Sequence, residues 1–168
     1  MAELEPPRGP FVFHELDRFD RAILHILARE GRIAITDLAE RIGLSKSPTQ
    51  ARLRKLEKNG FILGYRALLN PIKLGLDHVA FVEVKLDDTR QSALAAFNAA
   101  VRDVPEVEQA HMIAGPFDYL LKVRCADMAA YRSVLGRVIS TLPHVASTST
   151  FVAMEAVKET LASMAEEH

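Results

Sequence analysis

The sequence has a single cysteine, no tryptophan, and no apolar run approaching the length of a membrane span. One cysteine excludes an intramolecular disulfide, and the place of Cys125 in the apolar stretch YLLKVRCA reads as a buried thiol rather than a nucleophile. The opening MAELEPPRGP has neither a basic start nor an apolar signal core, so a reducing, cytoplasmic location is expected. No glycine-rich phosphate loop is present. The six histidines (His14, His25, His78, His111, His144 and His168) are scattered, without the Cys/His or His/Asp spacing of a metal site. His111 alternates within a strand-like stretch and reads as an interface or core histidine. The expectation is therefore a non-enzyme that needs no metal and no cofactor.

What is present is an ordinary globular composition with an uneven charge. The 168 residues are 49% hydrophobic and 26% charged, enough for one ordinary core or two small ones. The formal net charge is −1, but His14 to Asn70 holds 11 Lys/Arg against 7 Asp/Glu, and Pro71 to His168 holds 9 against 13. A basic first half and an acidic second half make nucleic-acid binding by the first half plausible.

The pattern along the chain supports that division. Residues 1–13, with four prolines and glycines and little to pack, are expected to form a flexible arm. LDRFDRAILHILAREG predicts a helix capped by Asp17, with Phe19, Ile23, Ile26 and Leu27 on one face and Gly31 as its stop. TDLAERIG predicts a shorter helix capped by Thr36 and closed at Gly43, where a positive φ costs glycine nothing. GLSKSPTQARLRKLEKNG predicts a third, capped by Ser45 or Ser47, tolerant of Pro48 in its first turn and ended by Gly60. FILGYRALLN has the apolar and aromatic content of a strand, fit for a wing. The expected DNA-binding domain spans 14–66 and a linker spans 67–76.

Three short helices with a glycine turn between the second and third make a helix-turn-helix. Thr49, Leu53 and Leu56 give the third helix a core face, while Lys46, Ser47, Gln50, Arg54 and Lys58 lie opposite. Such a basic helix is either a solvated amphipathic face or a recognition helix for double-stranded DNA, and the preceding capped helix and turn favour recognition. Phosphate contacts are then expected from Lys46, Arg52, Lys55 and Lys58, and sequence bias from Ser47, Thr49, Gln50 and Arg54.

The second half, 77–168, reads independently as βαββαβ. DHVAFVEVKLD alternates with Ala80, Val82, Val84 and Leu86 on one face. QSALAAFNAAVRDV is helical through Leu94, Phe97, Val101 and Val104. VEQAHMIAG and FDYLLKVRCA are strands joined at Gly115-Pro116, where Pro116 suits the second position of a tight turn. MAAYRSVLGRVISTL is helical through Tyr131, Leu135, Val138 and Leu142, and HVASTSTFVAMEAV is a last strand rich in β-branched residues. The order predicts a ferredoxin-like plait, hence an α+β chain: a winged helix-turn-helix followed by an antiparallel sheet with both helices on one face. The uncovered face of such a sheet predicts self-association.

The chain resembles the Lrp/AsnC family of bacterial and archaeal regulators. The likeness is carried by Asp17, Asp20, Ile23 and Leu24 in the opening helix, the LAERIGLS turn, Arg52, Arg54, Leu56 and Glu57, and the exit from Gly64 to Asn70-Pro71. Lys46 and Ser47 depart from the residues usual in the family's turn. The resemblance implies a DNA-binding regulator whose plait forms dimers sheet on sheet, assembling further to tetramers or octamers. It also implies that an effector amino acid is held between dimers at a Gly-x-x-Asp turn, here Gly115 and Asp118. Turn amides suit a carboxylate and an aspartate suits an ammonium group, and since Pro116 has no amide proton, Phe117 and Asp118 are the carboxylate candidates. Thr148 and Thr150, on one face of the last strand, are candidate hydroxyls. The same GPFD residues equally suit a simple hairpin with Asp118 bonded to its own turn. SKSPTQARLRKLE, HMIAGPFDYLLKVR and TSTFVAMEAVKE resemble the branch of proline-utilisation activators, which makes proline the expected effector. The alternative is a small-molecule-binding allosteric subunit, or a plait-fold enzyme, without DNA binding.

Overall fold

The computed structural model describes residues 16–159. The expected arm at 1–13 and the segment 160–168 lie outside the described residues. The chain divides into two compact units, one containing the residues up to Leu68 and the other Leu69–Val157.

The first unit holds α1 (Arg18–Arg29), α2 (Ile35–Ile42) and α3 (Lys46–Lys58). Asp17 caps α1 as its spacing predicts, its carboxylate accepting from the amides of Phe19 and Asp20 at 2.8 and 2.9 Å. The cap of α2 is Ala34 rather than the expected Thr36, which lies inside the first turn with its hydroxyl turned to Asp37. Gly43 closes α2 at φ 72°, and its amide donates back to the carbonyls of Ala39 and Glu40. Ser45 occupies the cap position of α3 but makes no side-chain capping bond there. Ile23, Leu38, Ile42 and Leu56 form a small core where the three helices meet, bordered by Leu27, Leu53 and Ile62.

The expected wing strand is not formed: residues 61–69 adopt no regular secondary structure. Phe61, Leu63, Tyr65, Leu68 and Leu69 are exposed. A strand exists only where a neighbour takes up its amides and carbonyls, and among the described residues this stretch pairs with none.

The second unit is the predicted plait. Strands β1 (His78–Leu86), β2 (Val107–Met112), β3 (Tyr119–Cys125) and β4 (Val145–Val152) form one antiparallel sheet in the order β2-β3-β1-β4. Helices α4 (Gln91–Arg102) and α5 (Met128–Arg137) cover one face. The buried rows Ala80, Val82, Val84 and Leu86 of β1 and Tyr119, Leu121, Val123 and Cys125 of β3 meet Phe97 and Val101 of α4 and Tyr131 and Val134 of α5. Phe97 is fully buried, its ring centroid 4.4 Å from that of Tyr119. The last predicted helix is shorter than its apolar stripe implies: α5 ends at Arg137 and a 3₁₀ turn at Ile139–Thr141 follows. That break places Ile139, not Leu142, at the bottom of the core.

On the opposite face Phe81 and Phe151 stand directly across from each other in the β1–β4 register, and both are exposed. Lys122 and Arg124 share this side and hold the Glu108 carboxylate at 3.1 and 2.5 Å. No helix of the described residues is long and apolar enough to cross a membrane.

Candidate nucleic-acid interface and effector turn

Helix α3 carries five of the basic residues of the first unit, Lys46, Arg52, Arg54, Lys55 and Lys58. Lys46, Ser47, Gln50, Arg54, Lys55 and Lys58 are all exposed, as an interface with DNA requires. The helix begins at Lys46 without a side-chain cap; Pro48 has no amide proton and the Thr49 amide bonds the Ser45 carbonyl, which leaves the Lys46 and Ser47 amides as the first-turn donors. Together these groups offer positive charge, amide donors and short polar side chains over one helix face, the chemistry that binds phosphates and reads base edges.

Two expected contacts are corrected. Thr49 is fully buried and its hydroxyl donates to the Ser45 carbonyl at 2.9 Å, so it braces the first turn from within and cannot meet a base. Arg52 points toward α1: its Nη1 lies 2.8 Å from Asp20 Oδ1 and 2.6 Å from Asp17 Oδ2, and its guanidinium stacks 5.3 Å from the centre of the Phe19 ring. The Asp20 carboxylate, and secondarily that of Asp17, raise the Arg52 pKa above its ordinary value. Asp17 is held below the ordinary carboxylate range, foremost by the Asp20 amide and then by Arg52 and the Phe19 amide, against the opposing effect of desolvation. Arg52 therefore fastens the basic helix to α1. Its spacing contained the signal, because Arg52 lies three residues after Thr49 and four before Leu56, between two core positions.

Behind α3, Leu27, Ile33, Ile35, Leu38 and Leu53 line an open cleft of about 250 Å³ with Tyr65 and Glu57 at its rim. The Tyr65 hydroxyl donates to Glu57 at 2.9 Å. Desolvation first, and the Glu57 carboxylate second, push the phenol up to about 12.

In the plait, the expected tight turn at Gly115-Pro116 is a wider connection of residues 113–118, closed by a 2.9 Å bond from the Ile113 amide to the Asp118 carbonyl. Gly115 and Pro116 are exposed, and Phe117 and Asp118 are half-buried. The Asp118 side chain bonds outside its own turn. The Asp118 amide donates to the Val84 carbonyl at 2.9 Å and its Oδ2 accepts from the Leu86 amide at 2.8 Å, which latches the turn to the end of β1. The Asp118 amide is thus unavailable to an effector carboxylate, a correction to its expected role. Lys85 comes to the same place, its Nζ 3.2 Å from the Pro116 carbonyl. Thirty-one residues separate the two in the chain, so only strand pairing brings them together, and sequence spacing held no sign of it.

Thr148 and Thr150 do lie on one face of β4, but it is the face turned to the helices. They pair in register with the inward residues Val84 and Val82, and the Thr150 hydroxyl meets the Tyr131 hydroxyl at 2.5 Å. The structure thus brings Gly115, Phe117 and Asp118 together in one turn and engages Thr150 with α5 instead.

Comparison with known proteins agrees with this division of labour. Residues 16–62 match the family model described as winged helix-turn-helix DNA-binding, and residues 79–163 match that described as Lrp/AsnC ligand binding domain. The proline dehydrogenase transcriptional activator of Rhizobium radiobacter is 60% identical over 146 residues, covering 87% of this chain and 94% of the relative. Among solved structures, an AsnC family transcriptional regulator from Agrobacterium tumefaciens superposes with a TM-score of 0.83 at 35% identity, covering 88% of this chain and 95% of the other. The regulator NMB0573 of Neisseria meningitidis, solved as a complex with L-Met, gives 0.81 at 33% identity, covering 86% and 94%.

Proposed function

We propose that this chain, which belongs to the Lrp/AsnC family of DNA-binding transcriptional regulators, controls genes of amino-acid metabolism in response to proline held at the Gly115–Asp118 turn between dimers. The observation that carries the proline reading is the 60% identity to a proline dehydrogenase transcriptional activator along nearly the full length of both chains. On this reading the exposed face of α3 enters the major groove, with Lys46, Lys55 and Lys58 on phosphates and Ser47, Gln50 and Arg54 biased toward base edges.

Self-association is part of the same reading. The exposed pair Phe81 and Phe151 lies on the sheet face opposite α4 and α5, and a second copy meeting it face to face buries both rings. Paired heads require an imperfect inverted repeat with half-sites about 10 bp apart or a multiple of that. Proline bound between dimers then shifts assembly or head spacing through its unequal affinity for the two arrangements.

The test is a gel-shift titration of the full chain on its own upstream DNA and on a proline dehydrogenase promoter, at two salt concentrations, with and without proline. Saturable, salt-sensitive binding that proline alters is the expected result. Binding indifferent to proline removes the effector and keeps the regulator. Lys58→Ala is expected to weaken binding to all sequences alike and to reduce the salt slope by about one, whereas Arg54→Ala relaxes sequence preference by about 1–3 kcal/mol. A Lys58→Ala loss confined to one operator contradicts its phosphate role.

A further inference from the structure

The polar groups of the 113–118 turn can be accounted for one by one, and they leave the effector carboxylate without the partner its sequence suggests. Pro116 has no amide proton. The Asp118 amide is committed to Val84, the Ile113 amide to the Asp118 carbonyl, and one Asp118 oxygen to the Leu86 amide. The amides of Ala114, Gly115 and Phe117 make no hydrogen bond to another described residue. Among the described residues, the cation that bonds the turn is Lys85, whose bond to the Pro116 carbonyl uses one of its three N–H donors.

We infer that Lys85 is the carboxylate-binding and specificity-determining residue of the effector site, working with the open turn amides, while the second oxygen of Asp118 takes the ammonium. The ligand class is a free α-amino acid, with both charges present. A carboxylate needs concentrated donors, and the Lys85 ammonium at the turn, together with the unbonded amides of Ala114, Gly115 and Phe117, supplies them, the ammonium through a charge-assisted bond about twice as strong as a neutral one. Lys85 is well placed for the exchange. It is exposed, it lies next to the irregularity between Lys85 and Leu86 in the β1–β4 ladder, and its present acceptor is a neutral carbonyl that a carboxylate outcompetes. Asp118 contributes in a second way, because its latch to Leu86 holds the turn against the residue that follows Lys85. The site therefore selects against amino-acid amides, peptides extended at the carboxyl end and simple amines.

This inference rests on the effector reading above, and its test separates the two. Binding of L-proline and L-prolinamide is measured by calorimetry on the full chain and on Lys85→Gln, Lys85→Arg and Asp118→Asn. If wild type does not bind proline, the pair is replaced by the tightest binder among the common L-amino acids and its carboxamide. Asn at 118 keeps an oxygen for the Leu86 amide. The expected result is that prolinamide binds wild type about tenfold more weakly than proline. Lys85→Gln costs proline about the same factor and prolinamide almost nothing, and Lys85→Arg restores most of the loss. Equal proline affinity in wild type and Lys85→Gln, with Asp118→Asn impaired, overturns the role of Lys85 and leaves the turn as the site. If an amino acid binds but neither variant changes its affinity, the effector lies elsewhere, and both readings fall. Absence of binding by every amino acid also refutes both.

Discussion

The two units of this chain solve the same problem with different means. The plait buries thirteen residues in one continuous core between a sheet and two helices, fully enclosing Ala80, Val82, Val84, Phe97, Leu121, Val123 and Ile139. The head has four buried apolar side chains at its centre, Ile23, Leu38, Ile42 and Leu56, and rims them with half-buried ones. Eight to thirteen residues per helix leave little apolar area to bury, so the head adds polar fastenings: the Asp17 cap, the Arg52 latch across α1 and α3, and the Tyr65–Glu57 bond. A small unit that must keep one helix face wet and basic has fewer apolar positions to spend on a core. Charged residues such as Arg52 then serve as structure, and not only as surface.

The sharpest way to break the contrast is to remove the largest fully buried side chain of the plait. Phe97→Ala should cost about 3–5 kcal/mol, through lost transfer energy and the cavity left against Tyr119. In hydrogen-exchange mass spectrometry the faster exchange should be concentrated in β1, β3 and α4. If α1 to α3 exchange faster to the same degree, the two units share one cooperative transition and the contrast fails.

Next in size is the head's polar latch. Arg52→Ala strands the Asp20 carboxylate, whose side chain is only 8% exposed, and should destabilise the head by about 1–3 kcal/mol. Faster exchange should now appear in α1 and α3. At a temperature where the head remains folded, the salt slope of DNA binding should stay that of wild type. A slope reduced by about one would return Arg52 to the phosphates.

The smallest effect is a matter of pH. The folded phenol of Tyr65 has its pKa raised to about 12 from an unfolded value near 10, so folding favours its protonated form. That contribution is fully present below pH 10 and is lost as pH rises toward 12. Tyr65 is half exposed, so the loss should be small. Burial raises the phenols of Tyr119 and Tyr131 as well, so in ultraviolet titration all three tyrosines should ionise late, and Glu57→Ala should bring one of them earlier. An unchanged titration curve would mean that the Glu57 bond does not hold in solution.

Much of this was legible in the chain itself. Periodicity of 3.6 and of 2 marks the helices and strands, because in each case a single face must leave water, and Asp17, Gly43 and Gly60 punctuate the head as their backbone chemistry requires. The residues of α3 that face outward were nearly all identified. The failures came where a residue satisfied a local pattern and was claimed by a distant partner. Thr49 fits a groove-facing polar position but lies in the core, Arg52 fits a phosphate contact but answers Asp20, and Thr150 fits a ligand hydroxyl but meets Tyr131.

Amino-acid order by itself determined the two-part layout, the helix-turn-helix, the βαββαβ order and the sign of charge on each half, since these follow from short-range periodicity, capping and composition. Tertiary structure alone decided which charges are free. Whether Arg52 binds its own Asp20 or a phosphate, whether the Asp118 amide is open or committed to Val84, and whether Lys85 reaches the turn depend on contacts between residues 31 to 34 apart, the last two through strand register. Hydrogen bonds and ion pairs act over a few ångströms of space, and distance along the chain does not report them until the strands have paired.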